Sequence, residues 1–375
     1  MFWDLLEDLL APPVDPDLPE IVLLAGFLGL HLARPDGTRV WLTPERFALA
    51  DVASDLRFDR QLVPDGVNRL IYGDLVRGLR AQGFAVRAFR FDSRKSALSI
   101  AEDLAASLAA AGAGRRFVLV GHSMGALIAA LYPYVDPSWR ERIERAIFLG
   151  GVLGGTFESV ECALGAHPII TRLSALSRQN GPEDFASCMR TWPGLFDMLP
   201  DPALFEHGES AFDASRWPRG CAPAPELLAR SREARELVNT SPIFEIPCTQ
   251  LASVRFSTTD RYLDDGVTPG PRDAAGDGSL SARTARFRGI PAHEIDLPHT
   301  LIPLDPKAIG AIVDLVKTGR TRLPEITRAQ MEARVVGEEQ GIEEMVARYL
   351  GNALGRLGEG AAALSPLCPL FCPPR

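Results

Sequence analysis

The 375-residue chain predicts an α/β fold: a mostly parallel central sheet with helices on both faces, an inserted helical cap and a C-terminal helical extension. Three observations lead there. In the first 155 residues, short fully apolar runs alternate with stretches of helical periodicity, the pattern of strand–helix units feeding a buried parallel sheet. Between residues 156 and 245 prolines separate helix-like pieces and the alternation breaks, to resume from 246 to 318. Beyond 319 the chain turns into a charge-laced helical pattern over 325–357 and then a Pro-rich tail. The expected units are a core in two parts (1–155 and 246–318), a cap (156–245) and an extension (319–375).

Composition narrows the function. A hydrophobic content of 46% supplies a large core. With 40 Lys and Arg against 48 Asp and Glu, a net charge of −8 excludes nucleic acid as a partner, because phosphate binding needs clustered basic residues. Cys162, Cys188, Cys221, Cys248, Cys368 and Cys372 are scattered without metal-ligand spacing and read as free thiols, so no metal is expected. The acidic start M-F-W-D-L-L-E-D is not a secretory leader and no apolar run reaches spanning length, which predicts a cytoplasmic protein without a transmembrane segment.

In chain order, residues 2–11 form an amphipathic helix whose acidic polar face suits docking on the protein better than lying on a membrane. After a Pro-rich linker, the apolar run 21–25 is a buried strand. It enters Gly26-Phe27-Leu28-Gly29, which either presents the Phe27 N–H towards the Ser123 turn or is an ordinary strand-ending turn, the first being favoured. Residues 31–65 are irregular, as binding loops or surface decoration are. A helix over 68–82, a strand over 85–91, the polar loop 92–95 and a helix over 100–113 follow. The strand opened by Phe117 comes next, and then Gly121-His122-Ser123-Met124-Gly125. A strand, a G-x-S-x-G turn and a helix just after it make the context of a nucleophile elbow, which lifts the Ser123 hydroxyl clear of the backbone.

The run 146–151 continues the sheet into Gly150-Gly151-Val152-Leu153-Gly154-Gly155. These glycines lack both G-x-G-x-x-G spacing and a P-loop lysine, so they read as a close-packed strand exit, and no cofactor is expected. The cap, with Trp192, Phe196, Phe205 and Trp217, suits an apolar substrate, or these residues form the cap's own core. The strand 246–254, a Pro- and Gly-rich loop, a last short strand over 293–299 and a helix over 305–315 close the core.

A serine needs an imidazole to take its proton, and the imidazole needs a carboxylate to fix its tautomer. Of six histidines only His299 follows the last strand at a loop; His122, inside the elbow, should point away from the serine. The acid belongs after the strand 246–254. Asp277, in a Gly-bracketed turn, is favoured only slightly over Asp265 in Asp264-Asp265-Gly266.

The motifs together resemble the lecithin:cholesterol acyltransferase family, with its lysosomal phospholipase A2 and phospholipid:diacylglycerol acyltransferase members, on the α/β-hydrolase fold. The matching pieces are L-L-A-G-F-L-G at 23–29, F-R-F-D-S-R-K-S at 89–96 and V-G-H-S-M-G at 120–125. T-W-P-G-L-F-D-M-L-P at 191–200, G-D-G-S-L at 276–280 and L-P-H at 297–299 continue in the family's order. The resemblance implies Ser123 as nucleophile, Asp277 as acid, His299 as base and oxyanion donors at the N–H groups of Phe27 and Met124. It also implies an acyl-enzyme formed on a small-molecule or lipid ester, the acyl group passing to water or an alcohol. A lipid ester is compatible with peripheral membrane contact. The departures, Ser93 in place of the family's tryptophan, Gly151-Val152-Leu153-Gly154-Gly155 in place of its T-P-H-x-G and no cysteine before Cys162, touch the lid and pocket. The alternatives are a small-ester or thioester hydrolase of a biosynthetic pathway and a non-catalytic interaction module; nothing in the pattern specifies an oligomeric state.

Overall fold

The computed structural model describes residues 13–335, apart from 42 and 113, together with Met345. The expected helix over 2–11, the tail cysteines and the extension beyond 335, Met345 aside, lie outside these residues. Six strands form the main sheet: β1 (Glu20–Leu24), β5 (Val86–Ala88), β6 (Phe117–His122), β7 (Ile143–Leu149), β8 (Cys248–Ala252) and β11 (Ala292–Glu294). Their order is β11-β8-β7-β6-β1-β5, and every pairing is parallel. The central strands are buried almost end to end, which is why they read as continuous apolar runs rather than alternating ones.

Two groups of helices flank the sheet. Arg69–Arg80 packs against Pro306–Thr318, and Ala97–Ala109 against Gly125–Leu131. Arg69–Arg80 shows how the local sequence sets a helix. The Asn68 side chain accepts the Leu70 N–H at 3.0 Å as N-cap, and Leu70, Ile71, Leu75 and Leu79, all buried, make up the apolar stripe. In the insertion, Pro168, Pro182, Pro193 and Pro225 each open a helix, where a missing N–H costs nothing. Arg235, buried on the helix Pro225–Asn239, ties that insertion to the core by donating to the carbonyls of Leu153, Asp197 and Leu199.

Four sequence expectations need correction. Residues 31–65 are not irregular throughout: β2 (Leu30–Ala33), β3 (Arg39–Trp41) and β4 (Val63–Val67) make a three-stranded antiparallel sheet. Strands of three to five residues, one of them V-P-D-G-V, carry no alternation long enough to register. The Pro- and Gly-rich stretch after β8 contains an antiparallel pair, β9 (Phe256–Thr259) and β10 (Arg272–Gly276). The last strand stops at Glu294, so His299 is delivered by the following loop at the start of a short 3-10 turn.

The fourth concerns the start of the extension, which is largely extended rather than helical up to residue 335. Glu294 N–H donates to Pro324 O and Ile326 N–H to Ala292 O, both at 2.8 Å, so residues 324–326 run antiparallel along β11. A single helical turn, Arg328–Met331, follows, and Ala275 N–H then donates to Ala333 O at 3.0 Å. Apolar burial of Ile326 against Ala252, Ala292 and their neighbours outweighs the helical propensity of this charged stretch.

Candidate active site

Ser123 sits between β6 and the helix Gly125–Leu131 with φ +53°, a left-handed conformation a non-glycine residue rarely holds. The flanking glycines are dictated by close approach. A Cβ on Gly121 would lie 2.7 Å from the Gly125 carbonyl carbon, and one on Gly125 would collide with the Leu24 carbonyl of β1. Ser123 N–H donates to Leu149 O at 3.1 Å, fixing the turn to β7.

Asp277 follows β10 and is almost fully buried; its Oδ1 accepts the N–H groups of Ser279 (2.9 Å) and Leu280 (2.6 Å). Its Oδ2 lies 2.7 Å from His299 Nδ1, and the His299 N–H donates to the Asp277 carbonyl at 2.9 Å. Burial alone would lower the His299 pKa; the charge and hydrogen bond of Asp277, joined by Glu158, outweigh it and raise the value above the ordinary one. Asp265 lies outside this pair: it binds the N–H groups of Val267 and Thr268 and the Thr268 hydroxyl, as an acid capping its own turn does. Gly150, with φ +50°, leaves the space the pair occupies, since a Cβ there would stand 2.8 Å from His299 Nδ1 and 3.0 Å from Asp277 Oδ2.

Ser123, Asp277 and His299 line one cavity of about 380 Å³. Phe27 lines it too, from the loop after β1, its ring 5.7 Å from that of Trp192. Met124 is fully buried directly behind Ser123. Among the described residues neither the Phe27 nor the Met124 N–H has a hydrogen-bond partner, whereas Gly26, Leu28 and Gly29 around them all do.

Several residues in and around the cavity make contacts that the sequence reading did not include. The polar loop 92–95 is buried up to Arg94: the Ser93 hydroxyl accepts the Leu28 N–H at 3.2 Å, and Arg94 pairs with Asp92 and donates to the carbonyls of Leu56, Arg57 and Arg60. From the insertion come Glu158 and His167, with Nε2 3.3 Å from Oε1. Burial pushes the Glu158 carboxyl up, but His167, His299 and the Ser279 hydroxyl outweigh it and bring it down to about 2. Tyr72 and His122 lie beneath the loop 26–29, and His122 turns its ring to Tyr72 and to the His299 carbonyl, as a residue facing away from the serine would. Tyr72 and Ser93 meet partners 50 and 65 residues away, a separation no local pattern encodes. Among the described residues no group of His, Cys, Asp or Glu is placed to hold a metal ion, and no helix is long and apolar enough to cross a membrane. Cys162, Cys188, Cys221 and Cys248 are free thiols.

A parallel sheet with a strained serine at a strand–helix turn, and an Asp–His pair delivered from later strands to the same cavity, defines the α/β-hydrolase architecture. The chain belongs to the alpha/beta hydrolase family, whose model matches residues 62–312. No curated protein matches it in sequence. Among solved structures it is similar to the Tle4–Tli4 complex, at 10% identity over 82% of this chain and 100% of that one, with a TM-score of 0.59. It is also similar to the lipase BlEst2 of Bacillus licheniformis in mature form, at 14% identity over 82% of this chain and 96% of that one, with a TM-score of 0.45. At such identities the likeness is one of fold.

Proposed function

We propose that the protein is a serine ester hydrolase or acyltransferase working through an acyl-enzyme. The observation that carries this is the His299–Asp277 pair, 2.7 Å apart, facing the same cavity as Ser123 on its strained turn. Ser123 attacks the ester carbonyl and His299 takes its proton; Asp277 holds the imidazole with its proton on Nδ1 and stabilises the charged form. The unpaired N–H groups of Phe27 and Met124 receive the oxyanion, and His299 returns the proton to the leaving alcohol. Water or a second alcohol then releases the acyl group by the same steps in reverse.

The insertion 156–245 acts as the cap, since it brings Glu158, His167, Ile169 and Leu195 to the cavity wall. With Trp41 and Ile71 opposite, the walls suit a lipid-like acyl chain, in keeping with the resemblance to lecithin:cholesterol acyltransferases. A volume of about 380 Å³ lies at the small end for ligand pockets and favours the second reading, a short-chain ester or thioester. A series of p-nitrophenyl esters separates the two: kcat/KM peaks at long chains for a lipase and at short ones for the alternative. The test of the reaction class is intact mass after exposure to a fluorophosphonate. One adduct on the wild type and none on Ser123→Ala supports it; an unlabelled, folded wild type refutes it.

A further inference from the structure

Two loops must meet for the proposed reaction: 26–29, which carries the Phe27 N–H, and the turn that carries His299. They are joined by a buried chain of hydrogen bonds through two side chains that have no other assigned role. Gly26 N–H donates to Tyr72 Oη at 2.7 Å, Tyr72 Oη lies 2.7 Å from His122 Nδ1, and His122 Nε2 lies 3.2 Å from the His299 carbonyl oxygen.

With His122 neutral, the protons in this chain can be placed in only one way. A carbonyl oxygen only accepts, so His122 Nε2 carries the hydrogen and donates to His299 O. Nδ1 is then bare and accepts, so the Tyr72 hydroxyl donates to it. The Tyr72 oxygen, its own hydrogen committed, receives the Gly26 N–H. The relay therefore runs in one direction from the first loop to the second. It demands a neutral His122, which agrees with burial and the neighbouring His299 pushing that imidazole well below its ordinary pKa. Tyr72 and His122 are both almost fully buried, so water does not compete for these bonds.

The glycines of the loop fit the same pair. A Cβ on Gly26 would stand 3.0 Å from His122 Nδ1 and from Ser123 Cβ, and a Cβ on Gly29 would stand 2.9 Å from Tyr72 Oη. The loop is thus seated on the relay at both ends. Leu28, at φ +60°, is held beyond it by the Ser93 hydroxyl and by Trp41 Nε1 donating to its carbonyl at 3.0 Å.

We propose that Tyr72 and His122 are positioning residues that lock the oxyanion loop to the histidine-bearing turn, setting the Phe27 N–H and the His299 ring in one mutual geometry. This rests on the acyl-enzyme reading above. Neither residue gives or takes a proton in the reaction. Removing the Tyr72 hydroxyl leaves the Gly26 N–H and His122 Nδ1 without partners and frees the loop to shift, which affects the transition state more than substrate binding.

The test compares wild type, Tyr72→Phe, His122→Phe and the double variant by fluorophosphonate labelling rate and by steady-state hydrolysis of a p-nitrophenyl ester, with folding checked by thermal melting. The expected result is a labelling rate and kcat about 10- to 100-fold lower for each single variant, KM within about twofold of wild type, and a double variant no worse than the poorer single one. His122→Gln, which keeps a donor for the His299 carbonyl, recovers part of the loss. Folded Tyr72→Phe labelling at the wild-type rate, or losses that multiply in the double variant, overturns the proposal. A wild type that does not label at all refutes the acyl-enzyme reading instead, and the positioning role with it. A second measurement does not depend on any variant folding: the side-chain ¹⁵N shifts of His122 should report a neutral Nε2–H ring that does not titrate between pH 5 and 8. A protonated ring or the Nδ1–H tautomer breaks the relay.

Discussion

Replacing Gly150 by alanine tests the acid–base pair without touching either of its members. Two costs follow from the structure. The first is conformational: an L-residue at φ +50° is strained by about 1 kcal/mol or somewhat more relative to glycine. The second is steric. The new methyl would lie 2.8 Å from His299 Nδ1 and 3.0 Å from Asp277 Oδ2, so the imidazole or the carboxylate must retreat by roughly 0.5 Å to reach ordinary contact distance. The 2.7 Å bond between them has no slack for that, and misplacement of this order costs about 10- to 100-fold in rate, or about 1.4–2.7 kcal/mol of transition-state stabilisation. The control is Gly37→Ala, at φ +85° with nothing within 4 Å of the added methyl, which carries the conformational cost alone. Thermal melting and ester hydrolysis on both variants separate the terms: both should lose a little stability, and only Gly150→Ala should lose kcat. Full activity in folded Gly150→Ala would refute the assigned pair.

Four further outcomes are expected. Asp277→Asn should lower kcat by about three to four orders of magnitude, while Asp265→Asn leaves it near wild type; the reverse pattern would move the acid to Asp265. The acid limb of kcat/KM should fall above pH 6.5, because His299 must be neutral to act and its pKa is raised; Glu158→Gln, by removing one of the charges that raise it, should move that limb to lower pH. By the same linkage, the His299 contribution to stability is fully present below pH 6.5 and is lost as pH rises through the raised value, which melting at pH 5.5 and 8.5 would show in a wild type compared with His299→Ala. Ser123→Gly should abolish ester hydrolysis yet melt higher than wild type, since glycine relieves about 1 kcal/mol of strain at φ +53°; a lower melting temperature contradicts that account.

Much of this arrangement was legible in the residues because it depends on short-range patterns. The G-x-S-x-G turn, the buried runs that became β1, β6 and β7, and the proline-opened helices of the insertion each carry their own local cause. His299 stood out because chain order and strand position singled it out, and the structure sets it against Asp277. Asp277 against Asp265 was nearly undecidable, since both sit in glycine-containing turns; what separates them is that β10 aims one inward and the β9–β10 turn keeps the other outside. The contacts of Tyr72, Ser93 and Glu158 were invisible for a different reason, although Ser93 itself stood out as a departure at the pocket. Their partners lie 50, 65 and 9 residues away, and for Tyr72 and Ser93 nothing in a helix face or a polar loop encodes a contact at that range. The three-stranded sheet was missed because its strands are shorter than the alternation needed to detect them.

The chain segment laid along β11 bears on more than local packing. β11 is three residues long and ends the parallel sheet, so without residues 324–326 its outer amide and carbonyl groups would face solvent as a template for another strand. The same segment then reaches Ala275 on β10, the strand from which Asp277 springs. A shortened form ending at Arg322 would therefore bare a sticky margin and loosen the support of Asp277, the proposed acid, in one cut. Loss of turnover on such trimming would arrive together with a tendency to self-associate, and the boundary for producing a well-behaved folded unit falls beyond Val335 rather than at the end of the helix Pro306–Thr318.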